Sequence, residues 1–213
     1  MRVYVCDGQN KKFSHPSGTD VKIMDERDVI LISNMFNDYK PLDIYKRLLD
    51  EINKTGDFDD LWALWHGDNH LIANDKSHIK WKKQCPTFNM VLERMANYFD
   101  MDVKATRFNW YRNSDEWKPY HHDAAAIDDK KARTQNLTVS VSFGEPRDIA
   151  FQHAKTGSTV CFPLGDGFLY TFASLVNVQW KHGVPQVHPD DAHDKGRISI
   201  VMWGWSTQKM TKN

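Results

Sequence analysis

Nothing in this chain approaches the roughly 18–20 consecutive apolar residues that a membrane-crossing helix needs, so no helical membrane span is expected. The first residues, "MRVYVCDGQNKKF", also lack the long apolar stretch of a secretory leader. Cysteine is scarce. The three present, Cys6, Cys85 and Cys161, are odd in number and widely scattered, with no CxxC spacing. That pattern excludes a disulfide scaffold and a cysteine zinc site, and it suits a reducing compartment. Charge of either sign is missing in excess: 28 Lys and Arg balance 28 Asp and Glu. A dedicated nucleic-acid binder usually carries surplus cations to neutralise phosphates. The short basic stretches "KWKKQ" (80–84) and "KKAR" (130–133) read as solvated surface. Repeats are absent, and so is low-complexity sequence beyond the alanines at 124–126. The expectation is a soluble intracellular protein, cytoplasmic or nuclear, of unassigned oligomeric state.

What the chain has is apolar bulk. Of 213 residues, 40% are hydrophobic and eight are Trp, enough for one sizeable core. We read a single domain, 1–213, whose character changes near residue 100. The first part, 1–100, reads as a flank of helices and loops that includes a buried strand in "DVILISNMF" (28–36). "PLDIYKRLLDEIN" (41–53) places Leu42, Ile44, Tyr45, Leu48, Leu49 and Ile52 at helical spacing, with Pro41 suited to the first turn. "PTFNMVLERMANYF" (86–99) repeats the pattern from Pro86, with Phe88, Val91, Leu92, Met95 and Phe99 on one stripe. Residues 61–81 are aromatic and polar without a period and read as loops or short strands. From 101 to 207, period two takes over. "NLTVSVSFG" alternates Leu137, Val139, Val141 and Phe143 with Thr138, Ser140 and Ser142, as a half-buried strand does. "RDIAFQHA", "GFLYTFAS", "NVQWKHGV" and "RISIVMWGW" follow between turn residues. The expected class is α+β, mainly β: a jelly-roll core with N-terminal flanking helices.

The chemistry concentrates in "DEWKPYHHDAAAID" (115–128). On an extended chain, successive side chains point to opposite faces, so His121 and Asp123 can converge on one ion while His122 points away. A two-histidine, one-carboxylate triad needs a second imidazole. His182 in "NVQWKHGVP" is the best candidate, on an expected strand ending at Gly183. His153, His188 and His193 compete for that place; the latter two lie in the polar loop "VHPDDAHDKG" and read as surface, and His153 could line a cavity. A facial triad of this kind leaves coordination positions open and marks non-haem Fe(II) oxygenases. Further on, Arg197, Ser199, Val201 and Trp203 share one strand face, opposite Ile198, Ile200 and Met202. An arginine and a serine facing inward need an anion or another partner, and guanidinium is shaped to grip a carboxylate. Asn109 and Tyr111, also two apart, could complete recognition of a small dicarboxylate.

In order along 86–205, "NWY", "HHD", "VSVSFGEP", "GDGFLYTF", "WKHGV" and the strand begun by Arg197 resemble the AlkB-like branch of the 2-oxoglutarate- and Fe(II)-dependent dioxygenases. The resemblance implies a double-stranded β-helix, a variant of the jelly roll. It implies Fe(II) on His121, Asp123 and His182. It also implies 2-oxoglutarate as cosubstrate on Asn109, Tyr111 and Arg197, with Ser199 assisting, and O2 as oxidant. The implied reaction is hydroxylation or oxidative demethylation, with alkylated nucleic acid among the implied substrates. Two features depart from the family's pattern. Trp203 stands where such demethylases typically carry a second arginine, and Ala125 stands where nucleobase repair members often carry a second acid. The same chemistry on a protein side chain or small molecule is the alternative, followed by a non-enzymatic jelly-roll binding module. Trp65, His66, Tyr120 and Trp180 are candidates to line the substrate side.

Overall fold

The fold is described from a computed structural model, which describes residues 1–6, 13–14, 20–21, 26–54 and 84–207. The expected loop at 61–81, with Trp65 and His66, lies outside those residues. Twelve strands are described: β1 (Arg2–Cys6), β2 (Phe13–Ser14), β3 (Asp20–Val21), β4 (Asp28–Ile32), β5 (Met101–Tyr111), β6 (Lys118–His121), β7 (Leu137–Gly144), β8 (Arg147–His153), β9 (Thr159–Leu164), β10 (Phe168–Ala173), β11 (Trp180–Val184) and β12 (Arg197–Ser206). The main helices are α1 (Asp43–Lys54) and α2 (Pro86–Tyr98), followed by the short α3 (Asp129–Ala132) and α4 (Ser174–Gln179). A six-stranded sheet runs β1-β4-β10-β7-β12-β5 and a four-stranded one β6-β11-β8-β9, while β2 and β3 pair separately. All described pairings are antiparallel except β1 with β4. The architecture is the mainly-β jelly roll that the sequence suggests.

The two helices are amphipathic and cover the outer face of the larger sheet. Ile44, Leu48 and Ile52 of α1 and Phe88, Val91 and Met95 of α2 meet Phe108, Val139, Val141, Phe143, Ile198, Ile200 and Met202 from the strands. Each such fully buried side chain contributes about 1.5–3 kcal/mol of transfer free energy. Helix α1 starts later than its apolar spacing suggests. Leu42 has φ of 62°, which no right-handed helix accommodates, and its N–H donates to Asp166 Oδ2 at 2.7 Å. Pro41 therefore precedes the helix instead of opening it. Helix α2 begins after Cys85, which offers no side-chain cap. The buried Glu51 of α1 supplies it across the helix pair, accepting from Thr87 N at 2.5 Å and Phe88 N at 3.2 Å.

The opposite face of the large sheet looks at the small one, and this changes the reading of β7. Every residue of β7 is buried, the polar as well as the apolar set. Thr138, Ser140 and Ser142 face the space between the sheets, not solvent. Ile149, Phe151 and Leu164 from the small sheet close that space at one end against Val29, Tyr170 and Phe172. The rest of the space holds polar side chains.

Candidate active site

Strand pairing assembles this polar end. In the large sheet, Arg197 of β12 lies directly across from Tyr111 of β5, and Ser199 across from Asn109. On the other flank of β12, Ser199 faces Ser142 and Trp203 faces Thr138. In the small sheet, His182 of β11 lies directly across from His121 of β6. Asp123, just beyond β6, keeps extended backbone, with φ of −70° and ψ of 152°. His121, Asp123 and His182 thus each present a ligand atom within 4.8 Å of the others.

Each member is held differently. His121 Nδ1 donates to the Pro119 carbonyl at 3.0 Å, which leaves Nε2 with its lone pair. His182 Nε2 lies 3.6 Å from Asp123 Oδ1. Its Nδ1 has no hydrogen-bond partner among the described residues, and ring packing positions it instead, at 5.0 Å from Phe172 and 4.4 Å from His121. Asp123 Oδ2 accepts from Thr138 Oγ1 at 2.9 Å. Asn177 on α4 grips the backbone of Asp123 from both sides, its Oδ1 accepting from Asp123 N at 2.9 Å and its Nδ2 donating to Asp123 O at 3.3 Å. His122 points away from the triad, and its Nδ1 bonds the Asn177 carbonyl at 2.6 Å. It secures the loop that carries Asp123.

The electrostatics prepare the three groups for a cation. Burial pushes the His182 imidazole down to about 4, and burial followed by the nearby Lys118 lowers His121. Burial works to raise the Asp123 carboxyl, but His182, Trp203, His121 and Thr138 together outweigh it and hold the group below its ordinary range. At neutral pH the set is two neutral imidazoles and one carboxylate, the protonation state a metal ion requires. The same shifts set a stability prediction. The unfolded chain protonates its histidines as pH falls below their ordinary 6.5, while the folded chain keeps His182 neutral to about 4. The unfolded state thus binds more protons across that window, and the metal-free protein should lose stability steadily from about pH 6.5 to about pH 4. Urea titrations at several pH values check this; a flat profile would mean the rings are not held neutral.

Beside the triad, Asn109, Tyr111, Tyr170, Arg197 and Ser199 line one side of a cavity that reaches His121, Asp123 and His182. Arg197 is 2% exposed. Its Nε donates to Ser142 Oγ at 2.6 Å and its guanidinium lies over the Tyr111 ring at 5.1 Å, yet Nη1 is buried with no partner among the described residues. A buried guanidinium that lines a cavity and has one donor unused calls for an anion, most naturally a carboxylate. The donor set and the unused Nη1 of Arg197 therefore suit a divalent iron with a dicarboxylate beside it.

A family model described as the 2OG-Fe(II) oxygenase superfamily matches residues 61–202, more than half the chain. The chain belongs to that family. The convergent His121, Asp123 and His182 fit the Fe(II) chemistry for which that family is named and which the AlkB-like resemblance implied. Among solved structures it is similar to one described as the structure of OsALKBH1, with 17% identity, a TM-score of 0.39 and coverage of 49% of each chain. The chain thus spans about half the length of that protein. No curated protein matches it. No helix among the described residues is long and apolar enough to cross a membrane.

The other histidines stand apart from this oxygenase site. His153 Nδ1 accepts from Thr156 N at 3.2 Å and its ring packs edge-on against Trp180 at 4.9 Å, so both serve a turn and its neighbour. His188 accepts from Asp190 N at 3.3 Å in a surface turn. His193 lies in the loop hydrogen-bonded to Ser114. Tyr120, half-buried on β6, is not among the residues that line the cavity of the triad.

Sequence reasoning missed Lys118, Thr138, Asn177 and Arg107 as neighbours of the triad. Thr138 was legible only as a polar residue on an alternating strand. Lys118 was hidden by a bulge. His182 pairs with His121 and Val184 with Lys118, so β6 spends three residues where β11 spends two. The extra residue reverses the alternation and brings Lys118 and His121 to the same cavity. Gly183 makes this possible, because a Cβ there would stand 2.6 Å from the Lys118 carbonyl oxygen and 3.0 Å from Pro119 C. Both obstacles are backbone, so Gly183→Ala must push β6, and His121 with it, away from His182. A displacement on the order of 1 Å can cost about hundredfold in rate. We expect a loss of that order in succinate formation, with weakened Fe(II) binding in an anaerobic titration; wild-type values would show that β6 carries no ligand.

Proposed function

We propose that His121, Asp123 and His182 hold the iron, that Arg197 grips the far carboxylate of 2-oxoglutarate, and that Asn109, Tyr111 and Ser199 complete its pocket. The reading treats 1–213 as a single oxygenase domain. One observation carries it: buried Arg197, whose Nη1 has no hydrogen-bond partner among the described residues, lines the same cavity as His121, Asp123 and His182. When bound, iron with 2-oxoglutarate and O2 supplies the oxidising power to hydroxylate a C–H bond, 2-oxoglutarate leaving as succinate and CO2. The protein's own residues bind, orient and shield. Thr138 holds one carboxylate oxygen of Asp123 so that the other faces the ion. The Pro119 carbonyl holds the His121 tautomer. Ile149, Val184 and Val201 line the same cavity and limit water around the reacting groups. Hydroxylation of an N-methyl group would yield an unstable carbinolamine that releases formaldehyde, which is demethylation.

Alkylated nucleic acid is the substrate to which the AlkB-like motif order points. A specific observation favours a protein side chain or small molecule instead. Trp203 stands where AlkB-like demethylases typically carry a second arginine, and it leans on the metal ligand Asp123. The test is succinate formation from 2-oxoglutarate with Fe(II) and O2, with and without methylated oligonucleotides, peptides and small N-methyl compounds. Iron-dependent succinate raised by one class would identify it. If the protein forms no succinate and binds no iron, the oxygenase reading of the site fails.

A further inference from the structure

Strand pairing places two of the three ligands, but not the third. His121 and His182 lie directly across from each other where β6 meets β11, so the ladder between the strands fixes their spacing. Asp123 stands two residues past that last described pair, at the start of a short 3₁₀ turn in which Ala126 N donates to its carbonyl at 2.9 Å. Its own N–H donates to a side chain, Asn177 Oδ1, at 2.9 Å. Asn177 Nδ2 donates to the Asp123 carbonyl at 3.3 Å, and the main-chain carbonyl of Asn177 accepts from His122 Nδ1 at 2.6 Å. One residue thus holds 122 and 123 by three hydrogen bonds.

A carboxamide is the side chain suited to this task. It carries the donor and the acceptor of a peptide group, so it can exchange both bonds with one residue, as a facing strand does. An ionised aspartate in its place could only accept, and a leucine could do neither. Asn177 and Asp123 are both buried, which leaves little water to substitute for the bonds. Helix α4 is itself anchored to the core: Val176 packs with Val29, Phe151 and Phe172, and its N–H donates to the Glu26 carbonyl at 3.0 Å. The helix then runs directly into β11, which carries His182. A single element therefore reaches two ligands, His182 through the chain and Asp123 through Asn177. We infer that Asn177 is a positioning residue, which sets the Asp123 carboxylate against the two imidazoles and so governs metal affinity from outside the ligand set. The inference rests on the reading of the triad as a metal site and adds the residue that fixes its geometry. Such a constellation has to be held within about 0.5 Å of its productive arrangement, and Asp123 without Asn177 loses the contacts that hold its backbone.

The test titrates the full metal-free chain with Co(II), whose visible absorption reports coordination geometry. Thermal melts without metal set a temperature at which the proteins compared are folded. Asn177→Leu and Asn177→Ala should each weaken Co(II) binding about ten- to hundredfold, the range for losing a group that orients a ligand, and should change the spectrum of the bound ion. Val176→Ala is the control. It removes packing from the same helix but leaves the three hydrogen bonds, so it should lower the melting temperature and keep the wild-type affinity and spectrum. Three results would overturn the proposal: wild-type affinity and spectrum in both Asn177 variants, an equal loss of affinity in Val176→Ala, or failure of both Asn177 variants to fold, which would assign the residue to the fold itself. Asp123→Ala, titrated in parallel, separates the two failures. If wild type binds Co(II), Asp123→Ala does not and the Asn177 variants bind like wild type, only the role of Asn177 falls. If wild type binds no Co(II), or Asp123→Ala binds it equally well, the metal site itself falls.

Discussion

Asp123→Ala should abolish iron-dependent succinate formation, by more than about hundredfold, while the protein stays folded. Asp123 contributes the only negative charge among the three ligands, and without it two neutral imidazoles must hold a divalent cation in water. Even residues that merely orient a ligand typically cost 10–100-fold in metal affinity or activity when replaced, so loss of a ligand exceeds that range. The fold survives because the loop is anchored through main chain. Asn177 bonds the N–H and the carbonyl of residue 123, and neither bond involves the carboxylate. Thr138 loses its acceptor at 2.9 Å, a cost of about 1–3 kcal/mol that the metal-free melt should register. Anaerobic Fe(II) titration beside the succinate assay separates lost binding from lost chemistry. Undiminished turnover would remove Asp123 from the ligand set.

Arg197→Ala should raise the 2-oxoglutarate concentration needed for half-maximal turnover by about hundredfold or more, leaving iron affinity nearly unchanged. Truncating one partner of a buried, hydrogen-bonded charge pair costs about 2–5 kcal/mol, and about 2.7 kcal/mol is a hundredfold. Arg197 suits that role because its approach is preset. Ser142 fixes Nε, Tyr111 lies under the guanidinium plane, and Nη1 remains for the ligand. Arg197→Lys should recover only part of the loss, since an ammonium lacks the flat pair of donors. Iron binding should hold because Arg197 lies outside the triad. If neither the cosubstrate requirement nor iron affinity moves, the cosubstrate occupies some other place.

Much of this site was legible because strands obey a strict period. With alternation on β12 alone, Arg197 and Ser199 fall on one face and Ile198 and Ile200 on the other, and the structure keeps that division. The same holds for Asn109 and Tyr111 against Phe108 and Trp110 on β5. His121 and Asp123 could be paired by the same rule. The alternation on β7 was equally plain, but its meaning was not. A polar face reads as a solvent face, whereas here a second sheet covers it and turns it into the lining of a site. The strand expected over "NVQWKHGV" is half helix, since Ser174–Gln179 coil before β11. That turn of helix is what brings Asn177 under Asp123, a contact 54 residues long in sequence.

By itself, then, the chain determined its periods: which residues alternate, which recur at helical spacing, and which ligand types sit two apart. These follow from backbone geometry, which is local and the same in every protein. Only the tertiary structure decided which face met which. The β6 bulge at Gly183 turned Lys118 inward, Glu51 of one helix capped another, and His182 was chosen over His153 by its register opposite His121. Such choices depend on pairings between segments far apart in the chain, whose energies come from burial and hydrogen bonding between partners that no local pattern names.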